Sequence, residues 1–418
     1  MKAEAGEPDV IIVGGGPAGM MGGTLFARAG CRVVVLEKHA DFLRDVRGDT
    51  VHPSTMQILD ELGMLQRFLK RPHHRLDRAE LSWNGKLLTI GDLSHLKMPA
   101  PFIAMMPQWE FLDFLRDEAA AFPGFTLRME APATAFLESA GRVTGVRLAD
   151  GEELHARLVI AADGRDSIVR GQHMLPLETL GAPIDVFWFA VPKHGAGSAL
   201  RGSVSGHRLI VMIDRGDYWQ CAFVIAKGSA EVIKARGIEA FRADVRAAAP
   251  DLPDLAAALP DMDAPKLLSV SLDRLTRWSR PGLLAIGDAA HAMSPVGGIG
   301  INLAIHDAVA TANILAGPMA AADDLDPLLA KVQERRMFPT RMIQGAQRTV
   351  HERLLRPLID GHRDMPEKPP LPVRLLARFP LLRRIPGYLI GHGIRQEHVR
   401  SPLAKPTRLL SPSPPRGW

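Results

Sequence analysis

Val10-Ile-Ile-Val-Gly14-Gly-Gly16-Pro17-Ala-Gly19 decides the fold. Four apolar residues make a run of strand length, three glycines follow, and Pro17 stands at a first helical position ahead of small residues up to Gly30. The stretch reads as strand, tight turn and helix. In Gly14-x-Gly16-x-x-Gly19 the first glycine permits the turn, the second lets backbone approach a pyrophosphate, and the third lets helix and strand pack closely. Arg32 to Leu36 is a second strand, rich in valine, and it ends on Glu37, 23 residues after Gly14. A carboxylate there accepts hydrogen bonds from ribose hydroxyls and repels a 2′-phosphate. With 38 glycines in 418 residues the bare pattern is weak, and a packing turn beside a surface Glu is its bland alternative. Its position between a strand and a helix is what carries weight.

Working outward, Pro53 to Gly63 and Trp109 to Ala121 read as helices, the second stopped by Pro123-Gly124. The period then changes, with alternating residues over Arg142 to Leu148 and Glu153 to Val159 around Asp150-Gly151, which predicts an antiparallel meander. Strand signals dominate from about 174 to 273, at Asp185 to Val191, Leu209 to Ile213 and Tyr218 to Ile225, with a helix near Ile238 to Ala249. Leu283 to Ile286 returns to a short buried strand, and Gly298 to Leu315 is a helix rich in Ala, Ile and Leu. The predicted class is α/β: a discontinuous Rossmann-like domain over 1–75, 103–173 and 275–355, and a sheet-based domain over 76–102 and 174–274. Residues 356–418 make a basic C-terminal segment, helical in part and irregular at Lys368 to Pro372 and Ser411 to Pro415.

A chain of 418 residues is too long for one small module. Two cysteines, Cys31 and Cys221, exclude a disulfide framework and a four-cysteine zinc site, which points to a reducing cytoplasm. The N-terminus lacks the pattern of a secretory signal, and apolar runs such as Leu209 to Ile213 fall short of a membrane span. Net charge is +5, but the tail from Arg356 carries +8 and the rest −3, so the basic balance is local and gives no reason to expect nucleic acid.

Two more strand-to-turn junctions carry chemistry. Gly287-Asp288 follows an apolar strand and leads through Ala289-Ala-His-Ala-Met-Ser-Pro-Val-Gly-Gly-Ile-Gly-Ile-Asn302 into a helix whose N-terminus would face an anion. Asp163-Gly164-Arg165-Asp166-Ser167 follows Leu158 to Ala162; a surface turn with a capping Asp is its alternative.

In this order the three junctions resemble the flavoprotein monooxygenases of the p-hydroxybenzoate hydroxylase type, over about the first 350 residues. The resemblance implies FAD, with Gly14, Gly16, Gly19 and Glu37 on its ADP half, and Arg47 and Gln108 holding it further along. It implies that Asp163 and Gly164 form the Asp-Gly motif shared with nicotinamide binding and that Asp288 meets the ribityl chain. Pro295, Gly298 and Asn302 would lie beside the isoalloxazine ring. No second G-x-G-x-x-G follows a strand, and the resemblance accounts for this through NAD(P)H bound transiently as reductant. The implied reaction adds O2 to reduced flavin, forming a C4a-hydroperoxide that hydroxylates a hydrophobic aromatic molecule.

Phe187, Phe189, Trp219 and Phe223 are substrate-pocket candidates by shared parity, against the reading that they are sheet core. His52 and His291 flank the proposed ring site and are candidate bases, against structural roles. Val373 to Ile394 mixes apolar residues with arginines, which fits contact with a membrane surface or a tail packed on the body. A homodimer is a further expectation. The rival functions are a saturase of the geranylgeranyl-reductase type, which needs no oxygen, and a flavin-binding redox sensor without turnover.

Overall fold

The computed structural model describes residues 6–43, 50–193, 200–359 and 368–404. Arg47 and the Ser411 to Pro415 stretch lie outside the described residues. Strand Val10–Val13 is buried throughout and has parallel partners on both sides, Val10 standing opposite Leu158 on one and Val33 on the other. A strand buried on both faces must be apolar at every position, so it reads as a continuous run rather than an alternation. The sheet has six strands in the order Ser279–Arg280, Leu283–Ala285, Leu158–Ala161, Val10–Val13, Val33–Leu36 and Phe125–Arg128, parallel except for its first pair. Helix Pro17–Arg28 packs against both Gly300–Ala320 and Gln108–Ala119 in the largest core of the molecule.

The predicted meander is corrected at one end. Ala133–Ser139, Arg142–Leu148 and Glu153–His155 form a three-stranded antiparallel sheet, but Leu158–Ala161 belongs to the parallel sheet. The chain changes sheets at Ala156 and Arg157, where alternation gives way to four buried apolar residues. Helix Gly300–Ala320 starts two residues later than the glycines suggested. The stretch Val296–Ala320 is long and apolar enough to cross a bilayer, yet 72% of its most apolar 18-residue window is buried within the protein.

A second sheet of seven strands runs Lys266–Ser269, Ile184–Pro192, Tyr218–Ala226, Arg208–Asp214, Leu200–Ser205, Arg78–Trp83 and Lys86–Asp92. Its two faces differ in what covers them. On one, Phe187, Phe189 and Phe223 surround Phe241 of helix Ile238–Ala248 edge-on, with ring centroids 5.5, 5.8 and 5.4 Å away. Each such pair adds about 1 kcal/mol to its area burial. The other face carries Trp188, Val211 and Ile213 toward Leu76, Leu93, Ile103 and Met105.

Helix Asp326–Val350 leads into a π-helical turn at His351–Leu355. The expected irregular stretch Lys368 to Pro372 is corrected in part, because helix Leu371–Arg378 begins inside it. Pro372 sits in the first turn, where a missing N–H costs no intrahelical bond. Residues Pro380–Arg383 form a 3-10 turn, and Arg384–Gly391 is a final helix.

Candidate functional site

Three turns meet at the carboxyl ends of three neighbouring parallel strands, the edge where open α/β sheets bind ligands. Backbone bonds extend the ladder into them: Gly14 N–H donates to Leu36 O, Ala162 N–H to Val13 O and Ile286 N–H to Ala161 O. Two of the three fingerprint glycines have steric reasons within the protein, and the third fronts open space. Gly14 has φ +108°, and a Cβ there would lie 2.4 Å from Ala162 O. A Cβ on Gly19 would lie 1.9 Å from Gly14 O, so helix and strand could not close. A Cβ on Gly16 would meet nothing within 4 Å, leaving open space in front of the Pro17–Arg28 helix, whose N-terminus has no side-chain cap. Unpaired N–H groups and a positive dipole end face that space. Glu37 is buried at its side, its carboxylate accepting from Gly15 N at 3.0 Å and His39 N at 3.1 Å.

At the middle turn, Gly164 has φ +86°, and Asp163 Oδ2 accepts from Ile168 N at 2.9 Å. Asp163 Oδ1 is buried without a partner among the described residues. Burial raises the Asp163 carboxyl above its ordinary value, outweighing hydrogen bonds from Ser167 and the backbone. Arg165, next along, donates to Asp288 Oδ2 at 3.3 Å and to Met293 O at 3.0 Å, tying the middle turn to the last.

The last turn is held by side chains. Asn302 is buried; its Oδ1 accepts from His52 N at 2.8 Å and Thr55 Oγ1 at 2.7 Å, while its Nδ2 donates to Thr50 O and Gly298 O. Thr50 Oγ1 closes the knot by donating to Gly298 O, and a Cβ on Gly298 (φ +61°) would lie 2.4 Å from that hydroxyl. Gln347 clamps the loop from behind, accepting from Ser294 N and donating to Ser294 O and Val296 O. Pro295 is half-buried in this loop, and helix Gly300–Ala320 opens with no side-chain cap. A Cβ on Gly287 would meet Ala18 at 3.1 Å and Ala304 at 3.2 Å, so the helices after the first and last turns converge there. Gln108, half-buried, opens helix Gln108–Ala119.

Neither candidate base has the freedom to act as one. His291 is fully buried, with Nε2 2.6 Å from Asp307 Oδ2. Asp307 also accepts from Gly287 N and from Arg336 Nε, so this pair props the Gly287-Asp288 turn. Burial pushes the Asp307 carboxyl up, but His291 and Arg336 together hold it below its ordinary value. His52 donates Nδ1–H to Ile390 O at 3.0 Å, and burial, opposed by that bond, pushes its pKa down to about 4. A base that weak accepts hydrogen bonds but does not deprotonate a phenol of pKa near 10. The aromatic candidates Phe187, Phe189 and Phe223 are corrected as well. They pack on the Ile238–Ala248 helix, and Trp219, half-buried at the edge of that core, lies under Lys193. Shared parity put them on one face of the sheet, and that face is the one the helix covers.

A family model described as FAD binding domain matches residues 7–346. The chain belongs to that family. The 6-methylpretetramide 4-monooxygenase of Streptomyces rimosus is 30% identical over 406 residues, covering 96% of each protein. Para-nitrophenol 4-monooxygenase of Pseudomonas sp. is 25% identical over 315 residues, covering 72% of this chain and 75% of the relative. The crystal structure of pqsL, a probable FAD-dependent monooxygenase from Pseudomonas aeruginosa, superposes with TM-score 0.71 at 24% identity, covering 85% of this chain and 99% of that one. This protein is an FAD-dependent monooxygenase, with NAD(P)H as reductant, as is typical of the family.

The residues present fit the cofactor. The open space before Gly16 and the uncapped helix suit a pyrophosphate, the buried Glu37 suits a ribose, and the orphaned Asp163 oxygen suits a donor on a ligand. Sequence reasoning missed Arg165, Asp307, Arg336 and Gln347. His306-Asp307 inside an apolar helix is the signal that could have found the second, since buried charges need partners.

Proposed function

We propose that the enzyme hydroxylates a hydrophobic aromatic small molecule held on the face of the seven-stranded sheet opposite Phe241. Bound FAD, once reduced by NAD(P)H, supplies activation of O2, so that one oxygen atom enters the substrate and the other leaves as water. The chain's own part is placement and dryness. Trp188, Val211, Ile213, Leu93, Ile103 and Met105 line an apolar region that adjoins the turns through strand Ile103–Met105, which pairs with Thr50–Val51. Excluding water there protects the oxygen transfer. With FAD bound, the uncapped N-terminus of the Gly300–Ala320 helix would stabilise negative charge on the ring.

The observation that carries this reading is Trp188, whose indole N–H is buried on that face with no partner among the described residues. A buried donor is a costly feature unless something pairs with it, and an oxygen substituent on an aromatic substrate supplies the acceptor. Gly14, Gly16, Gly19, Glu37, Asp163, Gly164 and Asp288 are proposed as FAD ligands, with Gln108, Pro295 and Gly298 near them and Asn302 as the residue that positions the ring loop. Names such as para-nitrophenol 4-monooxygenase and 6-hydroxynicotinate 3-monooxygenase among the relatives support an aromatic substrate. Cytoplasmic operation as a homodimer, with membrane-surface contact through the C-terminal segment, completes the proposal. The test is a screen of oxygenated aromatics for accelerated NAD(P)H oxidation in air, repeated with Trp188→Phe. A rise in KM of about fivefold with kcat little changed is expected, and an unchanged KM contradicts the assignment.

A further inference from the structure

We propose that the outer face of residues 371–389 docks on an anionic lipid bilayer, a step that deepens the membrane contact proposed above. The segment is seated firmly on the body by its inner face. Val373 is buried with Trp83 and Leu88, and Gly387 lies so close to the sheet edge that a Cβ would be 1.9 Å from Asp92 O. Ile390 O accepts from His52, and Arg383 donates to Leu376 O and Ala377 O, closing the end of the Leu371–Arg378 helix. The exposed residues therefore form the outer surface of an anchored element rather than of a loose tail.

That outer surface is apolar where a soluble body has no use for it. Leu371, Phe379, Leu381, Ile385, Tyr388 and Leu389 are all between 48% and 69% exposed. Arg374, Arg378 and Arg384 are exposed among them, and no Asp or Glu occurs from 368 to 396. Apolar side chains interleaved with arginines on short helices describe an element that lies in the headgroup plane. Each helix has eight residues, roughly 12 Å, too short to span a bilayer. The long apolar helix Gly300–Ala320 is already enclosed by protein. A second copy is a poor occupant, because a two-fold contact through this patch would set arginines against arginines. An anionic surface answers both the apolar and the charged part. Docking there would also bring Ile390, which joins the proposed substrate chamber, close to lipid, where hydrophobic aromatic molecules collect.

The experiment is sedimentation of the full-length holoprotein with vesicles of phosphatidylglycerol and phosphatidylcholine, and with pure phosphatidylcholine. Binding at least tenfold stronger to the anionic vesicles, weakened by salt, is expected. Arg374→Gln with Arg384→Gln should lower it roughly 25-fold, each neutralised arginine counting about fivefold. Ile385→Glu with Leu389→Glu should abolish it. Flavin content and NAD(P)H oxidation are read on the same samples, so a fault in the monooxygenase assignment registers there and not in sedimentation. Equal binding to both vesicle types, or none, overturns the proposal. So does a solution dimer that the Ile385→Glu, Leu389→Glu variant dissociates, since the face would then be a contact between copies.

Discussion

The first and last turns of the site perform the same office by different means. Each leads from a buried parallel strand into a helix with no side-chain cap, whose unpaired N–H groups face the proposed cofactor site. The first is shaped by the absence of side chains: Gly14 and Gly19 touch backbone where no Cβ fits. The last is shaped by side chains, with Asn302 of its own helix and Thr50 and Gln347 from far along the chain tying it down. A turn made of glycines is rigid because nothing else fits. A turn made of hydrogen bonds is rigid only while its partners stay in place.

Gly19→Val should prevent folding of the Rossmann-like sheet, because its Cβ alone would lie 1.9 Å from Gly14 O. Gly16→Val should fold, since φ is −73° and nothing lies within 4 Å, yet carry no FAD. A circular dichroism spectrum beside the flavin absorbance separates the two outcomes; full flavin in Gly16→Val would remove the pyrophosphate assignment. In the last turn, Asn302→Ala leaves His52 N and Thr50 O without partners and should cost about 3 kcal/mol in denaturant unfolding. A loss under 1 kcal/mol would show that the knot is not what holds the loop.

Asp288→Ala should weaken FAD by about 2 kcal/mol, roughly 30-fold in dissociation constant, through a lost charge-assisted contact. Titration of apoprotein with FAD measures it, and an unchanged affinity would move the ribityl partner elsewhere. A pH dependence that sums to about 4 kcal/mol between pH 7 and 5 is spread across the last turn and its support. Burial pushes His52 down to about 4 and His306 to about 3, from an ordinary value of 6.5. The folded state therefore refuses protons that the unfolded chain binds. Stability is full above about pH 6.5 and falls below it by about 1.4 kcal/mol per pH unit per histidine. Unfolding midpoints between pH 7 and 5 should show this slope, and His52→Gln should reduce it by about half.

How legible each region was follows from the same contrast. The glycines at 14, 16 and 19 fall within six residues, between an apolar strand and a helix, so the motif is displayed locally even though Gly14 is constrained by the distant Ala162. The knot joins Thr50, His52 and Asn302 across some 250 positions, and Thr50 and Asn302 read alone as ordinary polar residues. The parallel sheet announced itself through wholly apolar strands. The second sheet was legible as strands, but alternation tells only that two faces exist. Which one a helix covers depends on where Phe241 packs, and that is tertiary information. His52 misled for a related reason, since the residue type suggests titration near neutrality while burial pushes it down to about 4.

The central claim is that FAD stretched across the three turns transfers oxygen from O2 to an aromatic substrate. The most direct test is turnover of the purified yellow protein with NAD(P)H under isotopically labelled dioxygen, followed by mass spectrometry of the product. The account predicts one labelled oxygen atom in the product and no product without O2. Turnover that continues under nitrogen, or a product whose new oxygen comes from water, would contradict it.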